Sequence, residues 1–136
     1  MIHEKYFEVL ERVAIDVLPA GKQKLAALLV YRNDVIAIGT NKNKTHPLQK
    51  KYSKHDDAIF LHAEIDCIKN AIRNVGEDIV AKSTMYVLRV KKPAPRVPIM
   101  IRGMAKPCCG CFEAIKDYGI QSVYYTTDDG YELMEI

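Results

Sequence analysis

Apolar residues recur at helical spacing over residues 3–18, where Phe7, Leu10, Val13, Ala14, Val17 and Leu18 share one stripe. Pro19 and Gly21 end that pattern. The pattern then changes to a continuous apolar run, Leu25 to Tyr31, which predicts a buried strand. Asn33-Asp34 supplies turn chemistry before Val35-Ile36-Ala37-Ile38, so the two runs predict a β-hairpin. Gly39-Thr40-Asn41 closes the second strand and opens a polar, lysine-rich loop reaching to about Asp57. Helical spacing returns from about Ala58 to Val75, through Ile59, Leu61, Ile65, Ile68 and Ile72, with Gly76 as the C-terminal cap.

Met85 to Val90 reads as a strand, and the proline-rich stretch Lys92 to Pro98 as an extended loop. A third helix runs from near Cys108 to Gly119, with Phe112, Ile115 and Tyr118 as its apolar face. Val123-Tyr124-Tyr125 forms a fourth strand, and Asp129-Gly130 predicts a turn into a short last strand, Leu133 to Ile136. The order is α-β-β-α-β-α-β-(β), with no repeat or linker, and residues 1–136 read as a single domain. Helices alternating with the later strands predict parallel pairing between them, right-handed crossovers, and helices on both sheet faces.

Composition narrows the class without naming a function. The chain has 49% hydrophobic and 27% charged residues, no tryptophan and a net charge of +3. That charge is too small to imply nucleic-acid binding by itself. The longest apolar stretch is far short of the roughly 20 residues that span a bilayer. Met1 to Lys5 shows no secretory signal, so a cytoplasmic location without membrane attachment is the expectation. The basic residues are unevenly placed. Lysines 42, 44, 50, 51 and 54 lie in a run without an acid, and so do Arg89, Lys91, Lys92, Arg96, Arg102 and Lys106. The first run leads into His62 and the second into Cys108.

Cys108, Cys109 and Cys111 crowd one tetrapeptide, a geometry poor for a disulfide framework and good for a metal. Together with His62 they offer an imidazole and a Cys-x-x-Cys thiolate pair, and Glu64 stands two residues from the imidazole. Three protein ligands leave a fourth tetrahedral position of zinc open, the arrangement of catalytic rather than structural zinc. Water there has its pKa lowered to roughly 7, and Glu64 is placed to move its proton without ligating the metal. A Cys-x-x-Cys pair alone also fits a redox motif or half of a structural zinc site, with Cys67 or Cys109 as a fourth ligand. Cys67 is expected to pack in the core, and His3, His46 and His55 to be solvated.

His62-Ala63-Glu64 followed by Pro107-Cys108-Cys109-Gly110-Cys111 resembles the cytidine and deoxycytidylate deaminase superfamily, whose signature is H-x-E…P-C-x-x-C. The resemblance covers about residues 25 to 126. It implies an α/β fold of three α-β-α layers, with a mixed sheet of about five strands. It also implies Zn²⁺ held by His62, Cys108 and Cys111, Glu64 as the catalytic proton carrier, and a homo-oligomer. Asn41, after the second strand, resembles the asparagine that contacts the substrate sugar, and the Ala63 N–H resembles a donor to the base carbonyl. Asn41 also fits a plain loop-starting asparagine. Tyr125 and Thr126 end a strand near the expected pocket, but most tyrosines in such positions simply pack.

Histidine in the first ligand position resembles the deoxycytidylate, tRNA-adenosine and polynucleotide deaminases rather than those acting on free nucleosides. A phosphate-bearing substrate would explain both basic runs, and so would ordinary solvated loops. Aromatic residues for base stacking are scarce there, which favours a small nucleotide such as dCMP over a nucleic-acid strand. The short chain departs from typical deoxycytidylate deaminases, which carry further helices. Three readings stay open: a cytosine-nucleotide deaminase, a deaminase of bases in single-stranded DNA or RNA, and a non-catalytic zinc-stabilised binding module. Guanine-like or pterin-like ring deamination also fits the fold.

Overall fold

The computed structural model describes residues 3–16, 24–52, 60–96 and 99–136. Helix α1 (Glu4–Ile15) carries the first apolar stripe, with Tyr6, Phe7, Leu10 and Ala14 buried. The expected continuation through Val17 and Leu18 lies outside the described residues. Strands β1 (Lys24–Tyr31) and β2 (Asp34–Thr40) pair antiparallel. Their turn is Arg32-Asn33, both at positive φ (50° and 67°), so Asp34 belongs to the strand rather than to the turn. Two left-handed residues match the right-handed twist of the strands they join.

Strand β3 (Thr84–Lys91) pairs antiparallel with β1, and β5 (Ser122–Thr126) lies parallel to β3 on its other side. Strand β6 (Tyr131–Glu135) pairs with β5 and closes the order β2-β1-β3-β5-β6. It begins at Tyr131, two residues earlier than the apolar pattern indicated. The expected mixed α/β sheet is present, and the β3–β5 pair is its parallel element.

Alternation along the strands separates two cores. Ala26, Leu28, Tyr86, Leu88 and Val90 face α1. Ala27, Leu29, Met85, Val87, Val123 and Tyr125 face the opposite side, covered by α3 (Ala63–Val75) and α5 (Cys109–Asp117). Strand β1 is apolar on both faces because it is central, which explains its continuous hydrophobic run. Phe7 and Leu10 are fully buried, and burial on that scale stabilises by roughly 1.5–3 kcal/mol per side chain. Among the described residues, no helix is long and apolar enough to cross a membrane.

Four features depart from the sequence pattern. Helix α3 starts at Ala63, not near Ala58; Leu61 instead forms an isolated bridge with Lys42, and residues 53–59 lie outside the description. The lysine-rich loop contains a helix, α2 (Pro47–Tyr52), whose Gln49 and Tyr52 are buried. His46 starts it: its carbonyl accepts the Lys50 N–H and its Nδ1 accepts the Leu48 N–H, with proline in the first helical position. His46 is thus a cap rather than a merely solvated histidine. A short α4 (Glu77–Val80) follows α3, and β4 (Ile101–Gly103) pairs with β3, where no strand was expected.

His3 also departs from expectation. Its Nδ1 lies 2.6 Å from the Tyr86 hydroxyl and its ring stacks on Tyr124 at 4.1 Å between centroids. It belongs to an aromatic cluster on the α1 side of the sheet, with Tyr6, Phe7 and Tyr131. His55 lies outside the described residues.

Gly39 sets how closely α3 can approach the sheet. A Cβ there would stand 2.2 Å from the Cys67 nitrogen and 2.5 Å from the Ala63 oxygen, both fixed backbone atoms of α3. Gly39→Ala is expected to push α3 off β2 and destabilise the protein by about 1–3 kcal/mol, measured as a lower urea midpoint with an unchanged m-value.

Candidate metal centre

The side chains singled out by their spacing converge at two helix starts. His62 is extended (φ −80°, ψ 153°) and its carbonyl accepts the Asp66 N–H, so the helical ladder begins immediately after it. Its ring makes no capping bond and is available to face α5. Cys108 plays the same part for α5: it is extended (φ −72°, ψ 172°) and its carbonyl accepts the Phe112 N–H. Cys111 lies one turn further on, buried.

His62 Nδ1 stands 3.3 Å from Cys111 Sγ and 3.6 Å from Cys108 Sγ. All three ligand atoms lie within 4.8 Å of one another. Tetrahedral zinc with ordinary Zn–S and Zn–N bonds needs nitrogen and sulfur about 3.5 Å apart, so these side chains fit it. Cys67 is excluded from the cluster: it is buried with its thiol 3.7 Å from the Ala37 carbonyl, and burial pushes its pKa well up. Cys109, the first residue of α5, is exposed.

The two thiols differ in acidity. Hydrogen bonds from Cys111 and His62 draw Cys108 down to about 3, against the opposing effect of burial. Cys111 is pushed well up by its bond to Cys108 and by burial. His62 is raised by its bond to Cys108, which outweighs burial. The Cys111 thiol thus holds a proton that a bound cation must displace, and His62 binds its own more tightly than a free imidazole does.

Glu64 is buried in the first turn of α3 and is raised chiefly by that burial. Its charge is coupled to His62, Cys108 and Cys111, which places it against the ligand cluster. Asp66, on the same turn, behaves oppositely. Burial raises its pKa, but Lys42, the Thr40 N–H and Lys69 together hold it below the usual range. The Thr40 N–H donates to Asp66 Oδ2 at 3.0 Å, Lys42 pairs with the same oxygen, and Lys69 stands 3.1 Å from Oδ1. The loop carrying Asn41 is thereby tied to the helix carrying Glu64.

Asn41 is buried, and its Oδ1 accepts the Leu25 N–H at 2.9 Å, prolonging the β1–β2 ladder. Ala63 is the first helical residue, where a backbone N–H has no acceptor within its own helix. Tyr125 donates to Glu132, and the Thr126 hydroxyl donates to the Gly103 carbonyl, so both serve the sheet. Several cations of the basic runs are used within the fold: Lys42 on Asp66, Lys91 on Asp128, and Arg102 on Glu4 and Glu11.

Helix α2 contributes what spacing alone missed. Buried Gln49 accepts the His62 N–H on Oε1 at 3.0 Å. Gly110 lies so close to α2 that a Cβ would stand 2.2 Å from the Tyr52 oxygen, and the Tyr52 hydroxyl donates to Asp117 at 2.8 Å. The burial of Tyr52 and its bond to Asp117 push its pKa up to about 12. One short helix therefore braces both ligand-bearing helices. Pro47 was a visible start signal for it, but nothing local marks Gln49 as a partner of His62.

Gln49→Ala is expected to weaken zinc affinity by about 10- to 100-fold, as losses of groups that orient ligands do, measured by chelator competition. For Asp66, a folded pKa below the unfolded value of about 3.9 gives stability that is present above it and lost as pH falls through the folded value. Asp66→Asn is expected to lower stability at neutral pH and flatten the acid limb below about pH 4, read from urea melts across pH.

Residues 1–127 match the family described as the cytidine and deoxycytidylate deaminase zinc-binding region. No curated protein matches the chain. Among solved structures, the chain resembles the dCMP deaminase of cyanophage S-TIM5 in complex with dCMP and dUMP. The identity is 19% and the TM-score 0.60, over 93% of this chain and 81% of that one. The apo form of the same phage enzyme gives 22% identity and a TM-score of 0.61, over 93% and 82%. With this fold, a match over nearly its whole length and its His62-Cys108-Cys111 zinc triad intact, the chain belongs to the cytidine and deoxycytidylate deaminase family of zinc enzymes.

Proposed function

We propose that the protein is a hydrolytic deaminase of a cytosine nucleotide, converting dCMP to dUMP with release of ammonia. The observation that carries this reading is a buried carboxyl, Glu64, two residues from His62 and electrostatically coupled to the ligand cluster of His62, Cys108 and Cys111. The fold it shares with a phage enzyme seen with dCMP and dUMP supports the choice of nucleotide.

Zinc held by His62, Cys108 and Cys111 supplies Lewis acidity that brings the pKa of water to about 7. Glu64 does the proton work. Burial raises its affinity for a proton, so it can take one from the attacking water and pass it to the ring nitrogen. A C–O bond forms at the amine-bearing carbon, the C–N bond breaks, and a second proton delivered through Glu64 leaves with ammonia. Asn41 would hold the sugar through its amide and Ala63 the base carbonyl through its N–H. Asp66 and Gln49 keep those two segments in register.

The reading includes one domain over residues 1–136, a homo-oligomer, and a cytoplasmic enzyme, to which the four free thiols are suited. The test is ammonia release from a panel of cytosine and adenine mononucleotides and single-stranded oligonucleotides, with zinc content measured in the same sample. Turnover of dCMP is expected, and a zinc-loaded protein that turns over no member overturns the reading. Glu64→Gln is expected to keep its zinc while losing about 10²- to 10⁴-fold in kcat.

A further inference from the structure

Six lysine or arginine side chains are half-buried among the described residues, and five have an acceptor. Lys24 donates to the Ile15 carbonyl, Lys42 and Lys69 share Asp66, Lys91 meets Asp128, and Arg102 meets Glu4 and Glu11. The sixth is Arg89. Its Nε is sealed from solvent with no hydrogen-bond partner. A guanidinium stays charged at any physiological pH, and burying charge without a counter-group is unfavourable unless something else supplies the acceptor.

Its position says where that acceptor would come from. On β3, Met85 and Val87 face α3 and α5, while Tyr86, Leu88 and Val90 face α1. Arg89 continues the first set, so it lies on the metal-bearing side of the sheet. In register it stands opposite Leu25 on β1 and Gly103 on β4. Leu25 is the residue whose N–H Asn41 accepts, so Asn41, Leu25, Arg89 and Gly103 form one row across the sheet. The Arg89 N–H donates to Thr126 Oγ1, and the Thr126 carbonyl accepts from Ala105, on the segment leading directly into Cys108.

We propose that Arg89 is the anion-binding residue of this site and takes the phosphate of a mononucleotide; this rests on the deaminase reading above. The planar guanidinium fork matches two phosphate oxygens. A terminal phosphate can enter a half-buried position that one fixed cation serves. A polynucleotide needs a continuous basic track with stacking aromatics, and Lys42, Lys91 and Arg102 are already held by carboxylates.

The experiment compares the zinc-loaded full chain with Arg89→Gln and Arg89→Lys. The ratio of kcat/KM for dCMP to that for deoxycytidine is read from ammonia release, and thermal stabilisation by inorganic phosphate is read alongside. Arg89→Gln is expected to reduce the ratio by about 10- to 100-fold, the scale of a lost charged hydrogen bond, with partial rescue by Arg89→Lys and loss of the phosphate-induced shift. An unchanged ratio, or a phosphate shift that persists in Arg89→Gln, overturns the assignment. So does a loss confined to oligonucleotide binding. If the wild type turns over neither substrate, the choice of dCMP fails and the phosphate shift alone decides Arg89. If Arg89→Gln does not fold, Arg89→Lys decides by the same two readouts.

Discussion

Backbone meeting backbone without a side chain between, at Gly39 and at Gly110, is the constraint on which the metal centre depends. At Gly39 the first turn of α3 rests directly on β2, and at Gly110 the first turn of α5 rests on the end of α2. These are the turns that carry His62, Glu64 and Cys111. Imidazole and thiolates come from separate helices, so the spacing among them is set by how closely those helices pack. A displacement of an ångström, the size of the clash a methyl group would introduce, exceeds what a zinc–ligand bond tolerates. Gln49 completes the brace by accepting the His62 backbone N–H.

Within that frame, two carboxylates two residues apart acquire opposite characters. Glu64 is sealed against the ligand cluster and gains proton affinity from its burial. Asp66 is as deeply buried, yet two lysines and a backbone N–H hold it ionised. One is thereby suited to exchange a proton and the other to act as a fixed tie between strand end and helix. Their difference comes from neighbours, which is the general way a fold assigns acid–base roles.

The same economy of charge runs through the basic segments. Read along the chain, they suggest a phosphate-attracting surface on two loops. In three dimensions Lys42, Lys91 and Arg102 are held by acids distant in sequence, including Glu4 and Glu11 of α1. Among the described residues, what remains half-buried and without an acceptor is a single guanidinium on the metal-bearing face, and that contrast gives Arg89 its meaning.

Local pattern was enough for the ligand triad, for α1, the β1–β2 hairpin, β3, α5 and β5, and for the parallel β3–β5 pair. The elements follow from periodicity, caps or spacing within a short window and the parallel pair from helices alternating with strands, while the three-residue interval between Cys108 and Cys111 is itself a one-turn geometry. Helix α2 and strand β4 escaped because they are short, polar or proline-flanked, and are held by contacts with remote partners. The starting point of α3 shifted for a related reason: apolar residues before His62 fit the helical period, while Leu61 is drawn into a bridge with Lys42. The amino-acid order by itself determined which donor atoms could bind zinc and which carboxyl stood beside them, because those depend on residue type and short spacing. Only the tertiary structure decided that Gln49 backs His62, that Asp66 is a tie and that Arg89 lacks a partner, because each depends on side chains brought together from separate parts of the chain by packing.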